Sequence, residues 1–392
     1  MRSTLRLMAS LLCVAAVSPL SAASLEEAIA KHIEARGGRE NWEKIRSLRL
    51  TGDYTAFSKV EPFTLTRARD NSYVLDTKMN GRVVIIGYDG ETTWWDNHWF
   101  KEGAQRTTGI DAEVARGDAH FVNPLFNFEA LGMKAEFLGD TEYEGMPAVG
   151  IKLTRSDESE EVWYLDPDTY LEYARTSPGS DFGQPRTQRT FFDDFREVEG
   201  VMIPFHVETQ WYTRDRVMSV EKAEVNIDVD LSYFSMPAPE GMADLLHMAG
   251  EWKVAVAQRN QPGAPLEESE REVTIESAMD GRLLSSSYST ADGEDVTWTL
   301  SYDTFRKTYR LTEMSAASGY MDVEEGAFDD AGKLTLSNVV TELPYLAADM
   351  TVFSRFSVSG LSPDGFKIER EASIDGGESW FVAAEEVYTP KP

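Results

Sequence analysis

Histidine and its acidic neighbours are the first place to look for chemistry, because imidazole exchanges protons near neutral pH. No two of the chain's five histidines have the spacing of a metal-binding pair. His98 follows Asp96 within an aromatic stretch, which makes it the only nominee for a catalytic residue. His32, on the predicted first helix, is expected to be exposed or to cap that helix. We therefore predict no catalytic residue, no metal site and no cofactor.

Three further motifs could carry chemistry. Asp193 and Asp194 are neighbours on a predicted strand, so their side chains point to opposite faces and cannot flank one bond. The sequence Ser-Ile-Asp-Gly-Gly-Glu-Ser-Trp at 373–380 matches the Asp box of sialidase-like propellers. A propeller needs several such boxes at blade spacing, so the single copy predicts a turn device. No Gly-x-Ser-x-Gly motif marks an acyl-transfer nucleophile.

Aromatic side chains are the remaining signal. They cluster in a predicted hairpin around residues 94–100, and again in a helical insert at 109–132. An apolar pocket with few polar groups is what an acyl chain requires, although the same residues could simply form a core. Trp94 and Trp95 point to opposite faces of a strand, so at most one of them faces a cavity. The predicted ligand-binding residues are Trp95, Trp99, Phe100, Phe121, Phe126, Phe128 and Trp252.

Period-two alternation predicts that antiparallel strands position these residues. Val225–Tyr233 and Val296–Tyr302 alternate apolar and polar side chains, which is typical of strands with one dry face. Asp89-Gly90 between two apolar runs predicts a hairpin, as does Asp166-Pro167-Asp168. The insert at 109–132 has helical spacing and is split by a proline. We predict two short helices, or a helix and a loop, that cover or plug a curled sheet.

The chain is longer than one antiparallel β unit usually is, so two domains are expected. Residues 1–23 read as a signal peptide cut after Ala23, which predicts a periplasmic or secreted protein. The only cysteine, Cys13, lies inside that peptide, so disulfides and cysteine chemistry are excluded from the mature chain. The predicted domains are 24–235 and 245–392, joined by a linker at 236–244 that contains two prolines and a glycine.

The net charge of −29 argues against nucleic acid and anionic membrane surfaces as partners. After the signal peptide, no segment is apolar enough to span a bilayer. The acids are spread along the chain, which indicates a solvated surface or, alternatively, a surface that selects a basic partner. The sequence leaves the oligomeric state open.

The first part of the chain resembles the periplasmic lipoprotein-carrier superfamily, the LolA/LolB-like proteins. The resemblance is carried by Gly37-Gly38 after the opening helix, by Trp42, and by the stretches 47–52, 87–94, 164–166 and 192–196, the last followed by Gly200 and Pro204. It implies an incomplete, strongly curved antiparallel barrel with helices over its open mouth. It also implies an apolar concavity that binds acyl chains.

The second part, about residues 245–390, resembles calycin-type domains related to the lipocalins. Gly250-Glu-Trp252 on the first strand, Gly281–Leu284, Tyr302-Asp303 and Trp380 carry this likeness. Strand signals every eight to twelve residues favour a closed barrel. The fold class is therefore predicted as mainly β, with an incomplete barrel under a helical lid followed by a calycin-like barrel.

These patterns predict a non-catalytic periplasmic binding or carrier protein for an apolar small molecule, a lipid or a lipoprotein acyl chain. Two alternatives stay open. One is a structural or interaction module of the cell envelope, with both β units fully packed. The other is an enzyme with an unrecognised site for a hydrophobic substrate, for which His98 with Asp96 is the nominee.

Overall fold

The computed structural model describes residues 24–181, 183–211, 214–259, 261–290, 293–347 and 349–391. The predicted signal peptide, its cleavage site and Cys13 lie outside the described residues. Contacts divide the chain into two compact units. The first holds the described residues up to Gly81 together with Thr108–Leu231, and the second holds Arg82–Thr107 together with the chain from Ser232 onward. The domain boundaries drawn from the sequence stay a prediction.

Helices are few, and they begin where polar caps allow. The Ser24 hydroxyl accepts a hydrogen bond from the Glu27 amide at 3.2 Å, so Ser24 caps the first helix as predicted. Gly37 follows that helix with a φ of 98°, and a Cβ there would lie 2.2 Å from the Gly200 carbonyl oxygen. The α-helices are α1 (Leu25–Ala35), α2 (Arg39–Lys44), α3 (Gly109–Asp118) and α4 (Asn338–Thr341), and 3₁₀ turns lie at Pro124–Phe126, Leu231–Phe234 and Leu245–Met248.

Most of the N-terminal strands pair with the next strand along the chain. They are β1 (Ser47–Ala56), β2 (Lys59–Ala68), β3 (Tyr73–Met79), β4 (Arg82–Tyr88), β5 (Thr93–Asn97), β6 (Lys101–Arg106), β7 (Lys134–Tyr143), β8 (Met146–Thr154), β9 (Glu160–Leu165), β10 (Glu172–Asp181), β11 (Gln184–Val198), β12 (Val201–Trp211) and β13 (Arg214–Val225).

The first unit is a large curled antiparallel sheet. Its strand order is β3-β2-β1-β13-β12-β11-β10-β9-β8-β7, so β1 and β13 join the two runs of hairpins. Strand β7 is the last in this order and pairs with β8. The dry face therefore needs separate segments to cover it, because an open sheet cannot cover itself.

The second unit contains β4–β6 and a closed barrel. Strand β20 pairs with β22, and β14 pairs with β24, so ten strands of the described chain form a ring. Closure removes the free strand edges, as the strand spacing predicts. The strands of this part are β14 (Gly250–Gln258), β15 (Glu267–Ala278), β16 (Leu283–Ser289), β17 (Asp295–Asp303), β18 (Thr308–Ser315), β19 (Met321–Phe328), β20 (Leu334–Ser337), β21 (Tyr345–Ala347), β22 (Met350–Ser362), β23 (Gly365–Ser373) and β24 (Phe381–Pro390).

The predicted turns are confirmed. The Asp89 carboxylate accepts hydrogen bonds from the Glu91 and Thr92 amides at 3.0 and 2.7 Å, between β4 and β5. In the single Asp box, Asp375 accepts a hydrogen bond from the Ser379 amide at 2.9 Å. The Trp380 indole donates to the Gly377 carbonyl at 3.0 Å. The box is a hairpin device between β23 and β24.

The strand predicted at Val225–Tyr233 is wrong beyond its first residue. Strand β13 ends at Val225, opposite Leu48 near the start of β1. Asn226 then takes a φ of 55°, which turns the chain away from the sheet. The residues that follow have alternating polarity but no partner strand, and the chain enters a 3₁₀ turn at Leu231. Alternation indicates which faces are dry, and pairing decides whether a strand forms.

Candidate functional site

The dry face of β7–β9 is the apolar centre of the first unit. Val149 lies opposite Leu165 and Ile151 lies opposite Trp163, so all four point to one face. Helix α1 and the 3₁₀ turn at Pro124–Phe126 cover this face. The cluster consists of Ala28, Leu125, Met133, Val149, Ile151, Leu153, Trp163 and Leu165.

Residues 109–132, called the cover segment below, form α3 and the 3₁₀ turn. This agrees with the two short helices predicted from the spacing. The Asn123 side chain caps the turn by accepting a hydrogen bond from the Leu125 amide at 2.9 Å, and Pro124 stands at its first position. Leu125 is fully buried against the sheet. The cover segment therefore places its apolar side chains on the concave face.

The predicted aromatics of the insert meet around one tryptophan. Phe121 and Phe126 are each 5% exposed. Both pack edge-on against Trp42, with ring centroids 6.4 and 6.2 Å away. Phe128 is half-buried and packs against the apolar cluster. The structure thus brings Phe121, Phe126 and Phe128, all in the cover segment, to one side of the unit.

Polar contacts hold the cover segment in place. The Arg175 guanidinium pairs with the Asp118 carboxylate at 2.7 Å. Arg67 donates to the Asp118 carbonyl, and also to the His120 carbonyl at 3.1 Å. The Phe121 amide donates to the side chain of Asn71 at 3.0 Å. We call these contacts the latch. The sequence did not predict them, because the residues that form them lie far apart in the chain.

His32 is buried, so the expectation of an exposed or capping histidine is wrong. Its Nδ1 donates to the Tyr170 carbonyl at 2.9 Å, and burial lowers the pKa of the imidazole. Arg36, the C-cap residue of α1, donates to the buried Glu172 carboxylate. His32 faces the sheet because it lies four residues after Ala28, on the buried side of the helix. These contacts fix α1 on β10 and indicate a structural role.

Trp95, Trp99 and Phe100 lie on the β5–β6 hairpin of the second unit. Trp95 stacks on Phe100 with centroids 5.3 Å apart, and the Arg82 guanidinium lies 4.7 Å above Trp99. Trp99 is 42% exposed and Phe100 is 54% exposed. Trp94 points the other way, is buried, and donates to the Phe234 carbonyl at 2.8 Å. The two adjacent tryptophans therefore point to opposite faces, as expected, and the prediction that at most one of them faces a ligand cavity stays a prediction.

Trp252 is a core residue of the barrel. It is 4% exposed, packs edge-on against Phe366 at 4.9 Å, and donates to the Met248 carbonyl at 2.8 Å. A pocket of about 350 Å³, open to solvent, lies beside it and is also lined by His247 and Glu251. At this end of the barrel, strand side chains and the 3₁₀ turn at Leu245–Met248 fill the interior.

The nominated acid–base pair is a surface feature. His98 Nε2 lies 3.2 Å from the Asp96 carboxylate, and each side chain is about a quarter exposed. Within the described ranges, no three side chains of the types that bind metals converge on a common point. None of the helices in the described part of the chain combines the length and apolarity needed to cross a bilayer.

Residues 241–386 match the family model described as a protein of unknown function, DUF1579. Among solved structures, a LolA superfamily protein from Nitrosomonas europaea is 14% identical and covers 55% of this chain and 97% of its own, with a TM-score of 0.37. A DUF1329 family protein from Desulfovibrio piger is 10% identical, covering 54% and 97% with a TM-score of 0.38. A DUF3598 family protein from Nostoc punctiforme is 10% identical, covering 90% and 99% with a TM-score of 0.20.

No curated protein matches the sequence. The predicted second barrel overlaps the region that matches the family of unknown function.

Proposed function

We propose that the first unit is a non-catalytic carrier for an apolar chain, of a lipid or an acylated protein, in the periplasm. The observation that carries the proposal is the cover segment, which occupies the concave face with apolar side chains but is latched by polar contacts. Phe121, Leu125 and Phe126 are buried there. Asp118, in contrast, pairs with Arg175 at the end of α3.

The energetics permit exchange of this segment for an acyl chain. Burial of a methylene group contributes roughly 0.8 kcal/mol, so about ten buried methylenes contribute on the order of 8 kcal/mol. That is comparable with the apolar burial lost when a few large side chains leave the sheet. An apolar ligand can therefore replace the cover on the same surface without a large net change.

The predicted ligand contacts take different places in this proposal. Phe121, Phe126 and Phe128 would contact the acyl chain of the ligand as the cover segment moves off the sheet. The stacked surface of Trp95 and Phe100, with Trp99 beside it, offers a separate exposed apolar patch to the same class of ligand. Trp252 would contact a ligand only from the pocket beside it.

Native mass spectrometry of the purified protein, with titration of an environment-sensitive fatty-acid probe, tests the proposal. We expect saturable binding of one probe in the first unit. Phe126→Ala should change the probe affinity several-fold, whereas Phe305→Ala, at a position 91% exposed in the second unit, should not. A protein that repeatedly emerges free of lipid and never shifts the probe would refute carriage.

A second candidate function, a structural or interaction module, is favoured for the barrel. Its apolar half is packed by side chains such as Trp298 and Phe356, which are 1% and 0% exposed. In this apolar half, close packing leaves the binding of a partner to the outer surface. Affinity capture from cell-envelope extracts with the barrel face altered tests this role, and a failure to recover any stable partner would count against it.

A further inference from the structure

The interior of the barrel is lined by apolar side chains at one end and by charged side chains at the other. Residues directly opposite each other on neighbouring strands share a face. Phe356 lies opposite Arg370, and Ile368 lies opposite Glu386. Because Phe356 and Ile368 are fully buried in the apolar core, Arg370 and Glu386 also point inward. We call this part of the interior the charged end; it is formed by Arg271, Glu313, Asp322, Glu324, Arg370 and Glu386.

Four of these groups neutralise one another. Arg370 pairs with Glu313 at 2.6 Å and with Glu386 at 3.3 Å. Arg271 pairs with Glu386 at 2.9 Å. Burial opposes ionisation of Glu386, but the charges of Arg370 and Arg271 hold the pKa of this carboxyl below its ordinary value. Two cations and two anions thus balance one another in charge across the interior, although one nitrogen of Arg370 and two of Arg271 have no hydrogen-bond partner among the described residues.

The other two carboxyl groups have no such balance. Glu324 lies opposite Leu311, a core residue, so it points inward, and it is 4% exposed. Its Oε2 has no hydrogen-bond partner among the described residues. Asp322, two residues earlier on the same face, accepts hydrogen bonds from Asn338 at 3.0 Å and from Ser354. In the part of the chain that the structure describes, no lysine or arginine forms an ion pair with either group.

Two tyrosine rings stand beside this acidic pair. The Tyr320 and Tyr345 centroids are 5.7 Å apart. Burial, and then the charge of Asp322, raise the pKa of both hydroxyls, that of Tyr320 to about 12. Tyr320 donates to the Leu343 carbonyl at 2.9 Å, which fixes the direction of its hydroxyl. The faces of such rings attract cations.

We propose that the charged end of the barrel binds a small organic cation with a primary ammonium group, which hydrogen-bonds to Asp322 and Glu324 beside the Tyr320 and Tyr345 rings. An ammonium group carries three donors, which suits an unpartnered carboxylate oxygen and its acidic neighbour. Solvent reaches this end at Glu313, whose side chain is 29% exposed. A small ligand can enter from that side.

Other ligand classes fit less well. An anion would meet Arg370 and Arg271, whose charges Glu313 and Glu386 already balance, in an interior that also holds two further acids. A metal ion would find no three converging ligands among the described residues. A quaternary ammonium would use the rings but leave Glu324 Oε2 without a donor.

The protonation state of Glu324 also supports a cation site here. Burial, and then the neighbouring charge of Asp322, raise the pKa of Glu324 to about 8. Glu313 on β18 adds to this rise, whereas Arg370 on β23 and the hydroxyl of Ser354 on β22 oppose it. Glu324 therefore holds a proton at pH 7. Binding of a cation favours the carboxylate, so the proton leaves as the ligand enters.

Isothermal titration calorimetry of the full chain with n-butylamine at pH 7, in two buffers of different ionisation enthalpy, tests the proposal. We expect saturable binding with release of close to one proton per ligand. Tetramethylammonium and sodium at equal ionic strength should bind at least ten-fold more weakly. No saturable heat with n-butylamine, or equal affinity for all three cations, would overturn the proposal.

Variants assign the effect to the two acids. Glu324→Gln should lower the affinity at least ten-fold and abolish the proton release, and Asp322→Asn should lower the affinity by a similar factor. Glu325→Gln is the matched control, because it removes one charge at the next residue, which faces outward and pairs with Arg310. Unchanged butylamine binding in both interior variants would refute the site, and the Asp322 variant keeps the test valid if the Glu324 variant fails to fold.

The ammonium could come from a free amine or from a lysine side chain of a partner. A diaminoalkane and Nα-acetyl-lysine methylamide, titrated in parallel, separate these sources. Tighter binding of either one supports the cation site and identifies the source, and binding of neither contradicts it.

Discussion

The first unit covers the dry face of its sheet with separate helical segments, whereas the second closes its strands into a barrel and fills the apolar half with their own side chains. Leu125 of the cover segment and Trp298 of the barrel wall are buried to the same degree. Their attachment differs. Leu125 sits on a short turn, but Trp298 sits within the wall. We propose that a ligand can replace such a turn, whereas it cannot replace a wall.

The units also differ in how they treat buried acids. In the first unit, Glu172 pairs with Arg36 and Glu161 pairs with Arg155. In the barrel, Glu324 is buried without a cation that pairs with it among the described residues. Paired charges fix a structure, whereas an unpaired buried carboxyl costs stability unless it is protonated or serves a ligand.

Trp298→Ala should have the largest effect, because it removes a fully buried indole from a closed wall. We expect a loss of about 3–5 kcal/mol in the free energy of unfolding. Chemical denaturation measures it, and Trp99→Ala on the exposed hairpin is the control, with a loss below about 1 kcal/mol. Similar losses for the two variants would contradict a packed barrel.

Glu324→Gln should remove a pH dependence of stability. The pKa of Glu324 is about 8 in the folded chain and near 4.5 when unfolded, so the unfolded chain releases this proton first. Stability therefore falls as pH rises from about 4.5 to 8, by a few kcal/mol at about 1.4 kcal/mol per unit of pKa difference. The variant should match the wild type near pH 4.5 and exceed it above pH 8, as measured by denaturation at a series of pH values. Parallel pH profiles would show that the carboxyl is not buried as described.

Leu125→Ala should loosen the cover more than the sheet beneath it. We expect a cost of about 2–4 kcal/mol, expressed as faster hydrogen exchange within residues 109–132. Ile151→Ala, on the sheet itself, should instead speed exchange across β7–β9. If Leu125→Ala produced the same pattern as Ile151→Ala, the cover would not be a separable unit.

Asp118→Asn should have the smallest effect. It removes the ion pair with Arg175, and because the Asp118 side chain is 38% exposed, the loss should be about 1 kcal/mol or less. The association rate of a fatty-acid probe should nonetheless rise several-fold, because the latch is weaker. Glu113→Gln on the same helix is the control for charge. An equal rate increase in both variants would show that the ion pair of Asp118 does not hold the cover segment in place.

Local patterns in the sequence predicted local structure well. Ser24 as a cap, Asp89-Gly90 as a turn and the helical insert at 109–132 are all as expected, because each depends on neighbours in the chain. The strand at Val225–Tyr233 failed because its pairing depends on where β1 begins. His32 was misplaced because Glu172 and Tyr170, its neighbours in space, lie far away in sequence.

The charged end of the barrel was invisible for the same reason. Its six members come from five strands, and each resembles an ordinary surface charge in its own segment. One signal was present: Tyr309, Leu311 and Glu313 continue a single inward-facing series on β18. A charged residue that continues the inward-facing alternation of apolar residues on a barrel strand indicates a polar interior. The pairing of the strands is needed to show which side chains it contacts.

Hydrogen exchange of the whole chain with and without palmitate tests the central claim most directly. The account predicts that palmitate changes the exchange of residues 109–132 and of β7–β9, while the barrel strands β14–β20 and β22–β24 keep their protection. A change confined to the barrel strands, or no change anywhere at saturating palmitate, would contradict a removable cover over an apolar site.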